Sequence, residues 1–191
     1  MVIRDRRKKN SYIQENTATQ SVEHLLRDRI PWLFLGLFGG LLTTLLVSNY
    51  EAILYADIRV AFFIPIIVYL SDAVGSQTET IYIRAIVKTK VHFLNYVLKE
   101  SLVGLALGVI FGSCLGIFAA YWLHSAAIAF TVGLATLINL TLAPILAVTI
   151  PSIIRRQHSD PALGAGPVAT IIQDLLSLLI FFFIASVIIF I

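Results

Sequence analysis

Charge and cysteine are what this sequence has least of. Only 13% of its 191 residues are Asp, Glu, Lys or Arg, about half the share of an average soluble domain. The single Cys114 excludes a disulfide framework within one chain. The four histidines (His24, His92, His124 and His158) are scattered and form no paired Cys/His spacing of the kind that holds zinc or an iron–sulfur cluster. The apolar runs contain neither a nucleophile–base pair nor a His-ligated metal motif, so no enzyme is expected. Arg4, Arg6, Arg7, Lys8 and Lys9 are not followed closely by an apolar stretch, which excludes a cleaved signal peptide.

What remains is apolar: 58% of the residues are hydrophobic and the mean hydropathy is +0.89. The apolar residues form blocks too long for a globular core, which identifies an all-α integral membrane protein. The first uncharged run is Ile30 to Tyr50, with Pro31 where a helix start tolerates proline and Trp32 as an interfacial anchor. The second runs from Val60 to about Tyr82 and is interrupted by Asp72 and Glu79. Ser101 to Ile154 is a stretch of 54 residues without a charged side chain, enough for two spans with a turn near Tyr121–Ser125. The last run, Pro161 to Ile191, holds one acid, Asp174. Five transmembrane helices are therefore expected, spans one to five, forming one membrane domain over 30–191. The polar arm 1–29 is expected in the cytoplasm, with a short surface helix from about Val22 to Arg29. Its basic cluster fits anionic lipid better than nucleic acid in so apolar a chain.

The cations set the orientation. With the N-terminus inside, 13 of the 14 Lys and Arg residues fall on the cytoplasmic side and only Arg59 outside. This strong positive-inside bias puts the C-terminus outside the cell membrane. Gly104, Gly108, Gly112 and Gly116 recur every fourth residue along span three. Such a stripe lets another helix come close, either from the same chain or from a second subunit. Pro65, Pro144 and Pro151 remove backbone donors within spans two and four, leaving either simple kinks or carbonyls free for a cation.

A carboxylate near the centre of a bilayer costs roughly 2.5–3.5 kcal/mol on insertion scales and is functional by default. At about 1.5 Å per residue, Asp72 lies roughly 21 Å below the outer surface and Asp174 roughly 12 Å above the inner one. The two acids therefore stand at one level in the inner half, and a two-fold dimer would hold four carboxylates there. No Lys or Arg is near enough to neutralise them, so a metal ion is the natural counter-charge. Oxygen-only ligands suit a hard ion such as Mg²⁺, Ca²⁺ or Mn²⁺. The alternative is a protonated, hydrogen-bonded packing role for either acid. Uncharged oxygen ligands nearby are Ser71, Ser76, Gln77, Thr78, Thr136, Asn139 and Thr170, the last sharing a helix face with Asp174. Glu79, near the inner boundary, either gathers cations at a mouth or pairs with Arg84 or a loop lysine.

From Pro151 to Phe182 a family pattern emerges. Asp160-Pro161-Ala162, Gly166-Pro167, Thr170 and Asp174 before an aromatic tail resemble the last segment of the MgtE magnesium channels. Pro31-Trp32, Phe63-Ile64-Pro65, Gly75, Gln77, Arg84 and Lys99-Glu100 match the same family in order. The resemblance implies a homodimer of five-helix subunits with a pore on the two-fold axis, lined by spans two and five. It implies that Asp174 is the pore aspartate holding hydrated Mg²⁺ and that Asp160 is the family's acid on the inner side. The metal-site set expected on these grounds is Asp174, Asp72, Thr170, Asp160 and Gln77. Three departures stand out. The family's Gly-Gly-Asn element reads Ser71-Asp72-Ala73, the glycine three after the pore aspartate is Ser177, and an aromatic beyond it is Phe181 rather than tyrosine. The cytosolic sensing domains that close the family's pore are expected to be absent. The function expected is a divalent-cation channel or transporter, Mg²⁺ first, with divalent cations, membrane lipid and a second copy as partners and no nucleic acid. A proton- or Na⁺-coupled divalent exchanger and a non-transporting membrane scaffold are the alternatives.

Overall fold

The computed structural model describes residues 21–89, 91–156 and 161–189, and within them five helices are long and apolar enough to cross a membrane. The first is Val22–Ser48, started by Ser21, whose hydroxyl accepts from the backbone N–H of His24. The expected surface helix is therefore continuous with span one, and Pro31 lies inside the helix rather than at its start. The reason is local: residues 22–30 are mostly good helix formers with a capping serine ahead of them, so the helix nucleates before the proline.

At the far end Ser48 and Asn49 fold back on the Leu45 carbonyl, and a short helix Glu51–Ala56 follows. Span two opens as a 3₁₀ segment, Ile58–Phe63, and continues as an α-helix, Ile64–Lys88. Pro65 thus sits in the first turn of the α-helix, where its missing N–H costs nothing. The expected mid-helix break is not there. Asp57 caps the 3₁₀ segment and grips Arg59 through two side-chain contacts of 2.6 and 2.8 Å. Arg59 also donates to the Leu123 carbonyl at the end of span three, 3.3 Å away. The Arg59 hydrogen bond holds the Asp57 carboxyl below the usual carboxylate range. The clasp is therefore complete above the ordinary Asp pKa and is lost only as pH falls through the lowered value.

Span three is Phe93–Leu123 and span four Ala126–Arg156. The turn between them is His124, in the left-handed region with φ 51°, followed by Ser125, whose hydroxyl accepts from Ile128 N–H. It falls within the stretch expected from the sequence. Span five is Pro161–Ile189.

Span four is the hub, packed against spans two, three and five. Val132, Ala135, Leu140, Ala143 and Val148 along it have no exposed surface. The glycine stripe of span three faces this hub. A Cβ at Gly108 would lie 2.7 Å from the Leu137 carbonyl oxygen, and one at Gly112 would lie 2.6 Å from that of Gly133. Within the chain, then, the stripe serves a close helix pair rather than a free surface. Span five closes the bundle with Phe181 and Phe182, both fully buried, and Phe182 stacks on Tyr50 at 4.8 Å. Span one touches the rest mainly through span five, where Gly39 meets Ile171. Toward the C-terminal end of span two, Tyr82 and Ser152 share a 2.6 Å hydrogen bond, and Thr78 donates to Glu100.

Gly108→Val should lower stability by about 1–3 kcal/mol, because a backbone carbonyl leaves no room for the new side chain. Gly40→Ala meets nothing within 4 Å and should leave stability unchanged or raise it, as alanine is the better helix former. Thermal unfolding of both variants in detergent checks the contrast; equal melting points would mean that spans three and four do not pack through the stripe.

Candidate functional site

Spans two and five bring their polar faces together at mid-bundle. On span two, Asp72, Gly75, Ser76 and Glu79 follow i, i+3, i+4, i+7 spacing and so share one face. On span five Thr170, Gln173 and Asp174 do the same. Between the two helices, and reaching span one, is a cavity of about 470 Å³ lined by Asp72, Thr170, Asp174, Pro65, Tyr69 and Thr43 among others. A long hydrogen bond, 3.4 Å from Thr170 Oγ1 to Asp72 Oδ1, links the helices across it. Next to it is a second cavity of about 90 Å³, whose polar lining is Asp72, Ser76, Glu79, Thr170 and Gln173. A third, about 370 Å³, opens between spans one and five and reaches Thr43, Thr170 and Asp174.

Asp72 and Asp174 are both half-buried, and none of the three cavities has a Lys or Arg in its wall among the described residues. The one ion pair among the described residues is Asp57 with Arg59, at the N-terminal end of span two. Glu79 therefore does not pair with Arg84, which is exposed; it stands on the wall of the smaller cavity with Asp72. A set of carboxylates, hydroxyls and an amide, with no sulfur or imidazole, fits a hard divalent ion.

Of the residues singled out from the sequence, Asp72, Thr170 and Asp174 meet at one cavity. Gln77 is exposed, about 140° around the helix from Asp72 at 3.6 residues per turn, and lines none of these cavities. Asp160 lies outside the described residues. Thr136 and Asn139 are not cavity ligands: the Thr136 hydroxyl bonds the Val132 carbonyl, and Asn139 donates to the Ser177 carbonyl of span five. Gln173, fully inside the bundle, donates to the Ser177 hydroxyl. Ser71 Oγ is the buried side-chain polar atom left without a partner among the described residues.

Gln173 and Thr43 were not picked out from the sequence. A signal for Gln173 was there: an amide next to Asp174 in an otherwise apolar span carries its own desolvation cost and asks for a reason. Thr43 carried none, since its hydroxyl bonds Gly39 of its own helix and only the packing of span one brings it to the site.

Residues 64–184 match the family model described as MgtE, divalent cation transporter. Curated relatives agree. A magnesium transporter MgtE of Enterococcus faecalis is 34% identical over 83% of this chain and 36% of the relative. One of Bacillus subtilis is 29% identical over 83% of this chain and 36% of the relative. One of Thermus thermophilus is 28% identical over 82% and 35%. The chain spans about a third of the length of these relatives.

Asn139→Ala should cost about 1 kcal/mol of stability, the ordinary loss for one buried interhelical hydrogen bond. Chemical or thermal unfolding in detergent measures it. No change would mean that the Ser177 carbonyl is satisfied without span four.

Proposed function

Because the chain belongs to the MgtE family of divalent cation transporters, we propose that it passes a divalent cation, Mg²⁺ first, along the faces of spans two and five that carry Asp72, Thr170 and Asp174. The observation that carries this reading is the meeting of two acids from separate spans at one cavity with no basic side chain in its wall. Two such acids need a counter-charge, and the transported ion is the one that supplies it. The larger cavity, about 470 Å³, is ample for an ion keeping its six-water shell. Mg²⁺ sheds water reluctantly, so it is held there through that shell by carboxylate and hydroxyl oxygens rather than by direct bonds.

In this reading two copies pair about a two-fold axis, and the passage gathers four carboxylates at one depth. The N-terminus lies in the cytoplasm and the C-terminus outside, as the distribution of Lys and Arg favours. Asp160 adds an acid at the inner approach to span five. Asp72 adds charge to the site. Direct carboxylate contact favours ions that lose water more easily, so the preference widens from Mg²⁺ toward Ca²⁺ and Mn²⁺.

Asp174→Ala should abolish divalent uptake, while Asp174→Glu should keep part of it. Asp72→Asn should weaken divalent binding several-fold without unfolding the protein. Uptake by cells with equal surface expression of each variant is the measurement. Wild-type uptake by Asp174→Ala would remove the passage from this face.

A further inference from the structure

We propose that span one forms a third wall of the passage, and that the hydroxyl oxygen of Thr43 accepts hydrogen bonds from the water shell of the passing divalent cation. The inference rests on the reading that divalent cations reach Asp72 and Asp174. It extends that reading to a helix whose apolar run, Ile30 to Tyr50, carries no charge.

Placement is the first observation. Between Pro31 and Asn49 most of span one is exposed; the positions that are not are Gly36, Gly39, Thr43, Leu46 and Val47. Their spacing of three and four residues puts them on one face, which is seated on span five where Gly39 meets Ile171. Thr43 is one turn beyond that seat. Thr44, about 100° farther round at 3.6 residues per turn, is exposed.

The second observation is what Thr43 borders. It lines both the cavity that holds Asp72 and the cleft between spans one and five. Three residues are common to the two walls: Thr43, Thr170 and Asp174. The acid of span five therefore shares its space with one hydroxyl from its own helix and one from span one. Beside Thr43, Gly36 and Gly40 leave the cleft unfilled, since an added Cβ at either would meet nothing within 4 Å.

The third observation is the state of the hydroxyl. Thr43 Oγ1 donates its hydrogen to the Gly39 carbonyl at 3.0 Å. Such back-bonding is ordinary for a helical threonine, but it leaves the oxygen only lone pairs to offer the cavity. Thr170 is in the same state, its hydrogen directed to Asp72 Oδ1. A hydrated cation turns the hydrogens of its waters outward. Two carboxylates and two hydroxyl oxygens, drawn from three helices, accept from that shell, whereas a hydrated anion finds no donor among these four groups.

The test reads water access and ion occupancy at single positions, with the full chain in lipid nanodiscs. Cys114 is the one cysteine of the chain, so Cys114→Ser is the background for Thr43→Cys, Thr44→Cys and Thr170→Cys. A water-soluble cationic methanethiosulfonate should modify Thr43→Cys at least tenfold faster than Thr44→Cys. Saturating Mg²⁺ should slow that reaction at least fivefold, Na⁺ at equal ionic strength should not, and Thr170→Cys should behave in the same way. In uptake, Thr43→Val, which keeps the shape and loses the hydroxyl, should raise the half-saturating Mg²⁺ concentration several-fold, and Thr43→Ser should stay within twofold of the wild type. Suppose Thr43→Cys reacts no faster than Thr44→Cys, or reacts without Mg²⁺ protection, while Thr170→Cys is modified and protected. Span one is then outside the passage, and the reading of spans two and five stands. If Thr170→Cys is unprotected as well, that broader reading fails and this inference with it. Wild-type half-saturation in Thr43→Val would overturn the role of the hydroxyl.

Discussion

A carboxylate in the hydrocarbon layer has to find water, a partner or a cation, and this bundle is arranged around two of them. Asp72 and Asp174 come from spans that are separated by about a hundred residues of sequence. Their helices face each other so that both acids, and the hydroxyl of Thr170 between them, open on shared space. Among the described residues no lysine or arginine lines these cavities. The basic residue used inside the described fold, Arg59, is committed to Asp57 and to the end of span three. The two acids thus have no basic partner among the described residues.

That arrangement depends on a scaffold that holds spans two and five at a fixed rotation. Span four provides it. Its surface meets the glycine stripe of span three at backbone distance on one side, and presents Asn139 to the Ser177 carbonyl of span five on another. Ser177 is one turn beyond Asp174, and its hydroxyl takes the hydrogen of Gln173. Rotating span five would break the Asn139 contact and strand one buried amide, at a cost of about 1–3 kcal/mol. Polar atoms inside the bundle therefore set the direction in which Asp174 points, while apolar packing of Phe181, Phe182 and Ile67 supplies the bulk of the contact.

Much of this was legible in the sequence because the bilayer imposes length and charge rules that act on single segments. Five spans, the turn at His124, and a common level for Asp72 and Asp174 all followed from counting apolar residues and locating charges. What failed depended on neighbours or on local competition. Pro31 was expected at a helix start, but capping by Ser21 nucleates the helix a full two turns earlier. Pro65 was expected mid-helix, but the preceding segment winds as 3₁₀ and the proline opens the α-helix. Thr136 and Asn139 read as cavity ligands because their faces were unknown; in the fold both are turned into the core. Gln77 sits near the acids in sequence and on another side of the helix in space.

The direct measurement of the central claim is Mg²⁺ flux into proteoliposomes containing the purified chain, followed with a trapped Mg²⁺-sensitive dye. Under an inside-negative potential and an inward Mg²⁺ gradient, the account predicts dye response well above that of protein-free vesicles, with no imposed pH gradient required. Flux that starts only when a proton gradient is applied would assign the acids to coupled exchange. Folded protein in the membrane with no divalent flux under either condition would contradict the account.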